Sequence, residues 1–427
     1  MTRKLLDDCF LTDSQRLSHG EALAILRARI QPVAAVRRRP LTDACGRILA
    51  ASATARAPVP AHTNAAVDGY SFASRDYDKA GGREFSVSAR VAAGHALEHP
   101  AQPGTAVRIF TGAVIPTGHD TVAMQEDSET GTCDGVAWVR IPGGLKSGAN
   151  VRKAGEDVAA GEELLAPGHL IRPQDLAALA SIGLSNVDCC EPLSVAILSS
   201  GDEIVRPGAA LLSPGQVYDA NAPMLAALVA AAGAQPHDLG VVPDKLETIR
   251  ATLAEAASRH QVILTTGGAS RGEEDHMVTA LEALGKRHLW QLAIKPGRPM
   301  SMGQIGDCIV VGLPGNPVAV FVCFLMYVWP MLRRLGGATW PEPRRLKLPA
   351  IFDFTGRKPG RREFWRGMLV DGPNGLAVDK FKRDGSGLIS GLRAADGLID
   401  IPEMHGDVRA GDLVDFIPFT EFGILGR

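Results

Sequence analysis

The chain has 427 residues, 45% of them apolar and 22% charged, which is too long for one ordinary core and predicts two to four domains. Its 45 basic and 47 acidic side chains nearly cancel, leaving a net charge of −2 and no electrostatic footprint for nucleic acid. The seven cysteines form no C-x-x-C pair and are odd in number, so a disulfide framework or thiolate zinc site is not expected and a reducing cytoplasm fits.

The N-terminus, MTRKLLDDCFL, has acids where a signal peptide would be apolar. Residues 14–30 carry apolar positions at helical spacing after Ser14, a candidate cap. Residues 58–145 change to short alternating segments, EFSVSARV, TAVRIF, DTVAMQE and GVAWVRI, which predict a β-rich unit. Within it, Asp68-Gly69 and Thr111-Gly112 read as turns. PQDLAALASIG then predicts a helix closed by Gly183.

From about residue 190, strands and helices alternate: LSVAILSS, NAPMLAALVAAAG, HDLGVV, DKLETIRATLAEAASRH, QVILTT, EEDHMVTALEALG, HLWQLAI and DCIVVGLP. The strands are apolar throughout, as in a doubly wound, mostly parallel α/β sheet covered on both faces. PVAVFVCFLMYVWPML (317–332) has 16 uncharged residues, short of the roughly 20 that span a membrane, and predicts a buried core helix. The remainder, with REFWRGMLV, GLAVDKF and DLVDFIPF, predicts a small C-terminal β domain of barrel or sandwich type. The expected division is a stalk from 1–57 and 146–188, a β-rich domain at 58–145, the α/β domain at 189–338 and the β domain at 339–427.

Ligands of open α/β sheets bind outside the carboxyl ends of the strands. Five polar stretches sit there: SSGDE (199–203), VYDAN (217–221), TTGGASRGEED (265–275), AIKPGRP (293–299) and GLPGNP (312–317). Gly315 and Asn316 before Pro317 leave bare amides at a helix start, a natural anion site. Gly267 and Gly268 permit a similar close approach. Lys295 and Arg298 flank a Pro-Gly turn, where two cations can grip a phosphate or other oxyanion. Glu203, Asp219 and Asp275 would repel that anion unless a divalent cation lay between, which suits Mg²⁺ and its oxygen ligands. Each acid also has a plainer structural reading. Asp219 would serve as a helix cap, Glu203 as a solvated turn residue and Asp275 as a charge complementing a helix dipole.

The ordered set AAVDGYSF, RIFTGAVIPTG, VAMQE, VRKAGEDV, LSSGDE, VYDAN, TTGGASRGEEDH, LAIKPGRP and GLPGNPVA closely resembles the molybdopterin molybdotransferases, the MoeA-like family that includes the E domain of gephyrin. The resemblance runs from about residue 14 into the C-terminal β region. It implies insertion of molybdate into adenylylated molybdopterin with release of AMP, using Mg²⁺. It also implies a four-domain protomer and a homodimer whose active site draws on both subunits. Matched residue by residue, it marks Asp68, Thr111, Glu203, Asp219, Asp275 and Lys295, with Arg298 at a basic position that is often lysine. Arg361 and Ser386 are its best matches in PGRREFWRG and DGSG. Arg271 stands where a small apolar residue is usual.

On this reading Asp219, Asp275 and Glu203 hold Mg²⁺ against the pyrophosphate, Lys295 and Arg298 bind the oxyanion, and Glu203 or Asp68 orients water or relays a proton. Further implied partners are the molybdopterin adenylyltransferase and the recipient molybdoenzymes, with no nucleic acid and no membrane. Two rivals remain. One is the adenylyltransferase itself, whose usual form is the α/β domain alone; the other is a pterin-binding scaffold without turnover.

Overall fold

A computed structural model of the chain describes residues 16–208, 211–266, 276–297 and 299–426. Its largest sheet has seven strands in the order Arg16–Leu17, Lys286–Leu292, Pro299–Ile305, Cys308–Leu313, Val262–Thr266, Ser194–Ser200 and Gln235–Val242. The last four run parallel. Pro299–Ile305 is antiparallel to both of its neighbours. The sequence reading did not include this strand, because PMSMGQI lacks the β-branched run that marks the others. Two reversals restore direction, so Lys286–Leu292 points the same way as the parallel four and delivers Lys295 to their carboxyl edge. Val195 to Leu198, Val262 to Leu264 and Ile309 to Val311 are at most 1% exposed. Helices Leu246–Arg259 and His276–Leu284 cover one face, and Asn221–Ala231 with the helical run 317–335 covers the other.

That last run is long and apolar enough, by composition, to cross a membrane, but 89% of its most apolar window is buried inside the protein. It is the core helix the sequence predicts, extended by three residues. Pro330 lacks the N–H that an α-helix would use, and a π-helical turn, Phe324–Val328, ends two residues before it.

The N-terminal helix spans His19–Arg29 and starts at Ser18, not at Ser14, which lies outside the described residues. The Ser18 hydroxyl accepts from the Glu21 amide while the Glu21 carboxylate accepts from the Ser18 amide, a reciprocal capping box. Ala22, Leu26 and Ile30 from this segment bury themselves in the α/β core, and Arg16–Leu17 pairs with Gln291–Leu292. The first part of the expected stalk therefore packs on the α/β body, where its apolar stripe finds a larger core. Near the same contact His19, 4% exposed, shares a hydrogen bond with the Tyr327 hydroxyl at 2.9 Å.

The stalk itself forms where two distant passes of the chain meet. Asn186–Cys190 pairs with Val36–Pro40 and Ile48–Leu49, and Glu163–Leu165 pairs with Ala53–Thr54. The helix Pro173–Ser181 ends, as expected, at Gly183 with φ +81°. The β-rich domain is a six-stranded sheet with small cores on both faces. In the C-terminal domain Arg362–Gly372, Gly397–Ile401, Leu413–Pro418, Leu346–Pro349 and Gly375–Lys380 share a sheet whose remaining member, Ile294–Lys295, comes from the α/β region. Gly367 and Gly397 face one another there, and the Phe416 ring occupies the space a Cβ on either would need.

Candidate active site

The carboxyl ends of Ser194–Ser200, Val262–Thr266, Cys308–Leu313 and Lys286–Leu292 share one edge, joined by the starts of the helices at 221 and 317. Asn221 Nδ2 donates to the Gly315 carbonyl at 2.8 Å and ties the two helix starts together. Gly315 and Asn316 are exposed, and Asn316 occupies the cap position without a side-chain cap bond.

Asp219 is 3% exposed. Its Oδ1 accepts from the amides of Asn221 and Ala222 at 3.1 and 3.0 Å, which is the capping role. Its other oxygen, Oδ2, is buried without a hydrogen-bond partner and lies 3.5 Å from Arg206 Nη1. Asn221 Oδ1 is likewise buried and unpartnered. Buried oxygens without hydrogen bonds are uncommon, and oxygen ligands of this kind suit a hard cation. Glu203 follows the end of Ser194–Ser200; its carboxylate folds over Gly201, where a Cβ would come within 2.5 Å of it. Gly201 sits at φ +140°, a conformation that favours glycine, while the Glu203 carboxylate could swing aside for a Cβ.

The C-terminal domain completes the rim. Lys295 pairs through its backbone with Glu363, and Lys295 Nζ lies 3.3 Å from Glu363 Oε2. The Val318 amide, in the first turn of the core helix, donates to the Ser386 carbonyl at 3.0 Å. Two buried arginines hold the loops that carry the matched residues. Arg357 donates to the Arg361 and Pro402 carbonyls at 2.6 and 2.9 Å, and also to that of His405. Arg366 donates to the carbonyls of Gly385 and Leu388 at 3.1 and 3.4 Å, and to that of Arg383. Sequence reasoning missed Arg357, Glu363 and Arg366. The available signal was charge embedded in the apolar strand REFWRGMLV, where Glu363 and Arg366 are 3% and 6% exposed.

In the β-rich domain the two turns meet. The Thr111 amide and hydroxyl both donate to Asp68 Oδ1 at 2.8 Å, and these bonds, the amide first, hold the Asp68 carboxyl below the usual carboxylate range. Arg108 adds to that effect and stacks on Tyr70 and Phe110. Among the described residues, the hydrogen bonds of Asp68 and Thr111 stay within the β-rich domain. Gly267, Gly268, Arg271, Asp275 and Arg298 lie outside the described residues. Among the described residues no three His, Cys, Asp or Glu side chains converge as a metal cluster.

Three family models cover the chain in order: the MoeA N-terminal region (domains I and II) over 17–183, a probable molybdopterin binding domain over 196–334, and the MoeA C-terminal region (domain IV) over 349–419. A molybdopterin molybdenumtransferase of Haemophilus influenzae is 34% identical over 385 residues, 89% of this chain and 93% of that one. This chain belongs to the MoeA family. A second molybdopterin molybdenumtransferase, from Mycobacterium tuberculosis, is 32% identical over 92% of this chain and 96% of its own length. The crystal structure of the molybdopterin biosynthesis MoeA protein of Pyrococcus horikoshii superposes with a TM-score of 0.79 at 28% identity, covering 95% of this chain and all of that one. The MoeA family thus accounts for the fold of every region described above.

Proposed function

We propose that this protein is a molybdopterin molybdotransferase, inserting molybdate into adenylylated molybdopterin with release of AMP. The observation that supports the reading is that the turn after Lys295 packs at Gly297 against the helix starting at Pro317, whose Val318 amide in turn bonds the Ser386 loop. A cation beside a helix start can serve as an oxyanion site. Membership of the MoeA family, with relatives named molybdenumtransferases, supports this substrate class.

Lys295 and Arg361 bind the oxyanion of molybdate or of the terminal phosphate, and Arg298 adds a second cation to the turn. Gly267 and Gly268 make room for the pterin phosphate. Mg²⁺ would be held by Asp219, with Asp275 and Glu203; Asp219 Oδ2, which has no hydrogen bond, would then exchange its ion pair with Arg206 for the metal. Bound there, it would supply neutralisation of the pyrophosphate charge. Asp68 and Thr111 come from the partner protomer of a homodimer, which explains why their hydrogen bonds leave the rim untouched within one chain. Its site of action would be the cytoplasm, which suits an odd number of cysteines without a C-x-x-C pair.

The test is activation of an apo-molybdoenzyme at low molybdate, with AMP release followed in parallel. Activation and AMP release should both require this protein. Equal activation without it would refute the reading.

A further inference from the structure

Glu363 belongs to the C-terminal domain and is 3% exposed, one strand away from the rim. Its Oε2 accepts from the Trp365 indole N–H at 2.9 Å and from Lys295 Nζ at 3.3 Å. Its Oε1 faces Arg357 Nε at 3.6 Å. Arg357 is fixed by three backbone carbonyls, and Trp365 is packed against Phe352, Phe354 and the Lys380 ammonium. On its own side, therefore, the carboxylate rests on groups that are already immobilised. Its one outward contact is Lys295.

The backbone repeats the arrangement. Ile294–Lys295 pairs in parallel with Arg362–Glu363, and the Arg362 amide donates to the Ala293 carbonyl at 2.9 Å. One strand thus holds the root of the lysine and its tip. The pair is asymmetric: the Lys295 side chain is 40% exposed while that of Glu363 is 4% exposed. An ammonium has three donors, so anchoring one leaves two for a ligand on the rim. A free lysine loses much rotamer freedom when it binds an oxyanion, and a tether removes that loss in advance.

We propose that Glu363 is a positioning residue for the molybdotransferase reaction, holding the Lys295 ammonium at the oxyanion site from the neighbouring domain. The inference rests on the reading that Lys295 serves that oxyanion. It makes the C-terminal domain a holder of the active lysine, not merely a neighbour. It also separates binding from turnover. Glu363 carries a negative charge near the anion site, so its removal strengthens the local positive field while loosening the lysine.

The test is steady-state kinetics of molybdate-dependent AMP release for Glu363→Gln, Lys295→Ala and the double variant, in the full chain with folding checked by thermal melting. Glu363→Gln should lower kcat about ten- to a hundredfold, with KM for molybdate unchanged or lower. The double variant should be no slower than Lys295→Ala, because Glu363 acts through that lysine. An unchanged kcat in Glu363→Gln, or a further loss in the double variant, overturns the inference. Should Glu363→Gln fail to fold because Arg357 loses its counter-charge, Trp365→Phe removes one anchor and keeps the charge; a lower kcat at constant KM is expected, and an unchanged kcat overturns the proposal. Lys295→Ala turning over at the wild-type rate would overturn the assignment of Lys295 as well. That outcome differs from a slow Lys295→Ala beside a normal Glu363→Gln, which defeats the positioning role alone.

Discussion

Asp400 is fully buried and pairs with two arginines in the C-terminal domain. Arg362 Nε and Nη2 donate to its two oxygens at 2.6 and 2.9 Å, and Arg345 Nε donates to Oδ2 at 2.9 Å. Burial pushes its carboxyl up, but the Arg362 and Arg345 hydrogen bonds and charges outweigh that and hold it below its ordinary 3.8. Asp400→Asn keeps the shape but removes the charge and turns an N–H toward a guanidinium. Each charge-assisted bond contributes about 1.5–3 kcal/mol, and breaking a buried pair costs about 3–5 kcal/mol in all, since the bonds do not add. The C-terminal domain should lose about 3–4 kcal/mol, read by urea denaturation through intrinsic fluorescence, to which Trp365 in the same sheet contributes. The sign with pH follows from the depressed value. The stabilisation is present above the unfolded carboxyl value of 3.8 and is lost as pH falls through the lower folded value. The difference between wild type and variant should therefore be constant from about pH 7 to about pH 5 and shrink progressively as pH falls below about 4. A difference under about 1 kcal/mol at neutral pH would refute the reasoning.

Two further outcomes test the site. Gly297, with φ +104°, sits two residues beyond Lys295, and a Cβ there would collide with Cys323 Sγ; Gly297→Ala should lower stability by about 2–4 kcal/mol and activity at least about tenfold, with Cys323→Ala restoring part of both, as melting and AMP release would show. If the active site is shared across a homodimer, mixing inactive Asp68→Asn and Lys295→Ala chains under exchange should recover about a quarter of wild-type activity, because half the dimers are mixed and each has one intact site; no recovery despite proven exchange would place Asp68 and Lys295 in one protomer.

Much of this molecule was legible from local sequence. The apolar runs VAILSS, VILTT and CIVVGL became buried parallel strands because a sheet covered on both faces leaves no position for alternation. Pro317 marked a helix start because its fixed φ and missing N–H suit the first helical position, and Gly183 marked a helix end because its φ of +81° favours glycine. Asp219 shows how one residue can satisfy two readings, since one oxygen caps a helix and the other remains unpartnered.

What sequence could not supply is the set of contacts made across domains. PMSMGQI has no strand signature and pairs because its two neighbours bring it into register. The helix His19–Arg29 joined the α/β core because a large apolar surface was available there, which no local pattern records. Asp68 and Thr111, 43 residues apart, read as two unrelated turns until one accepted from the other. The sequence by itself determined which stretches are strands, helix ends and polar rim loops, since those follow from local backbone limits and hydrophobic period. Only the tertiary structure decided that a buried glutamate, two buried arginines and a tryptophan from the last domain would fix the lysine and loops of that rim, because such charges are tolerated inside only when distant partners arrive to pair them.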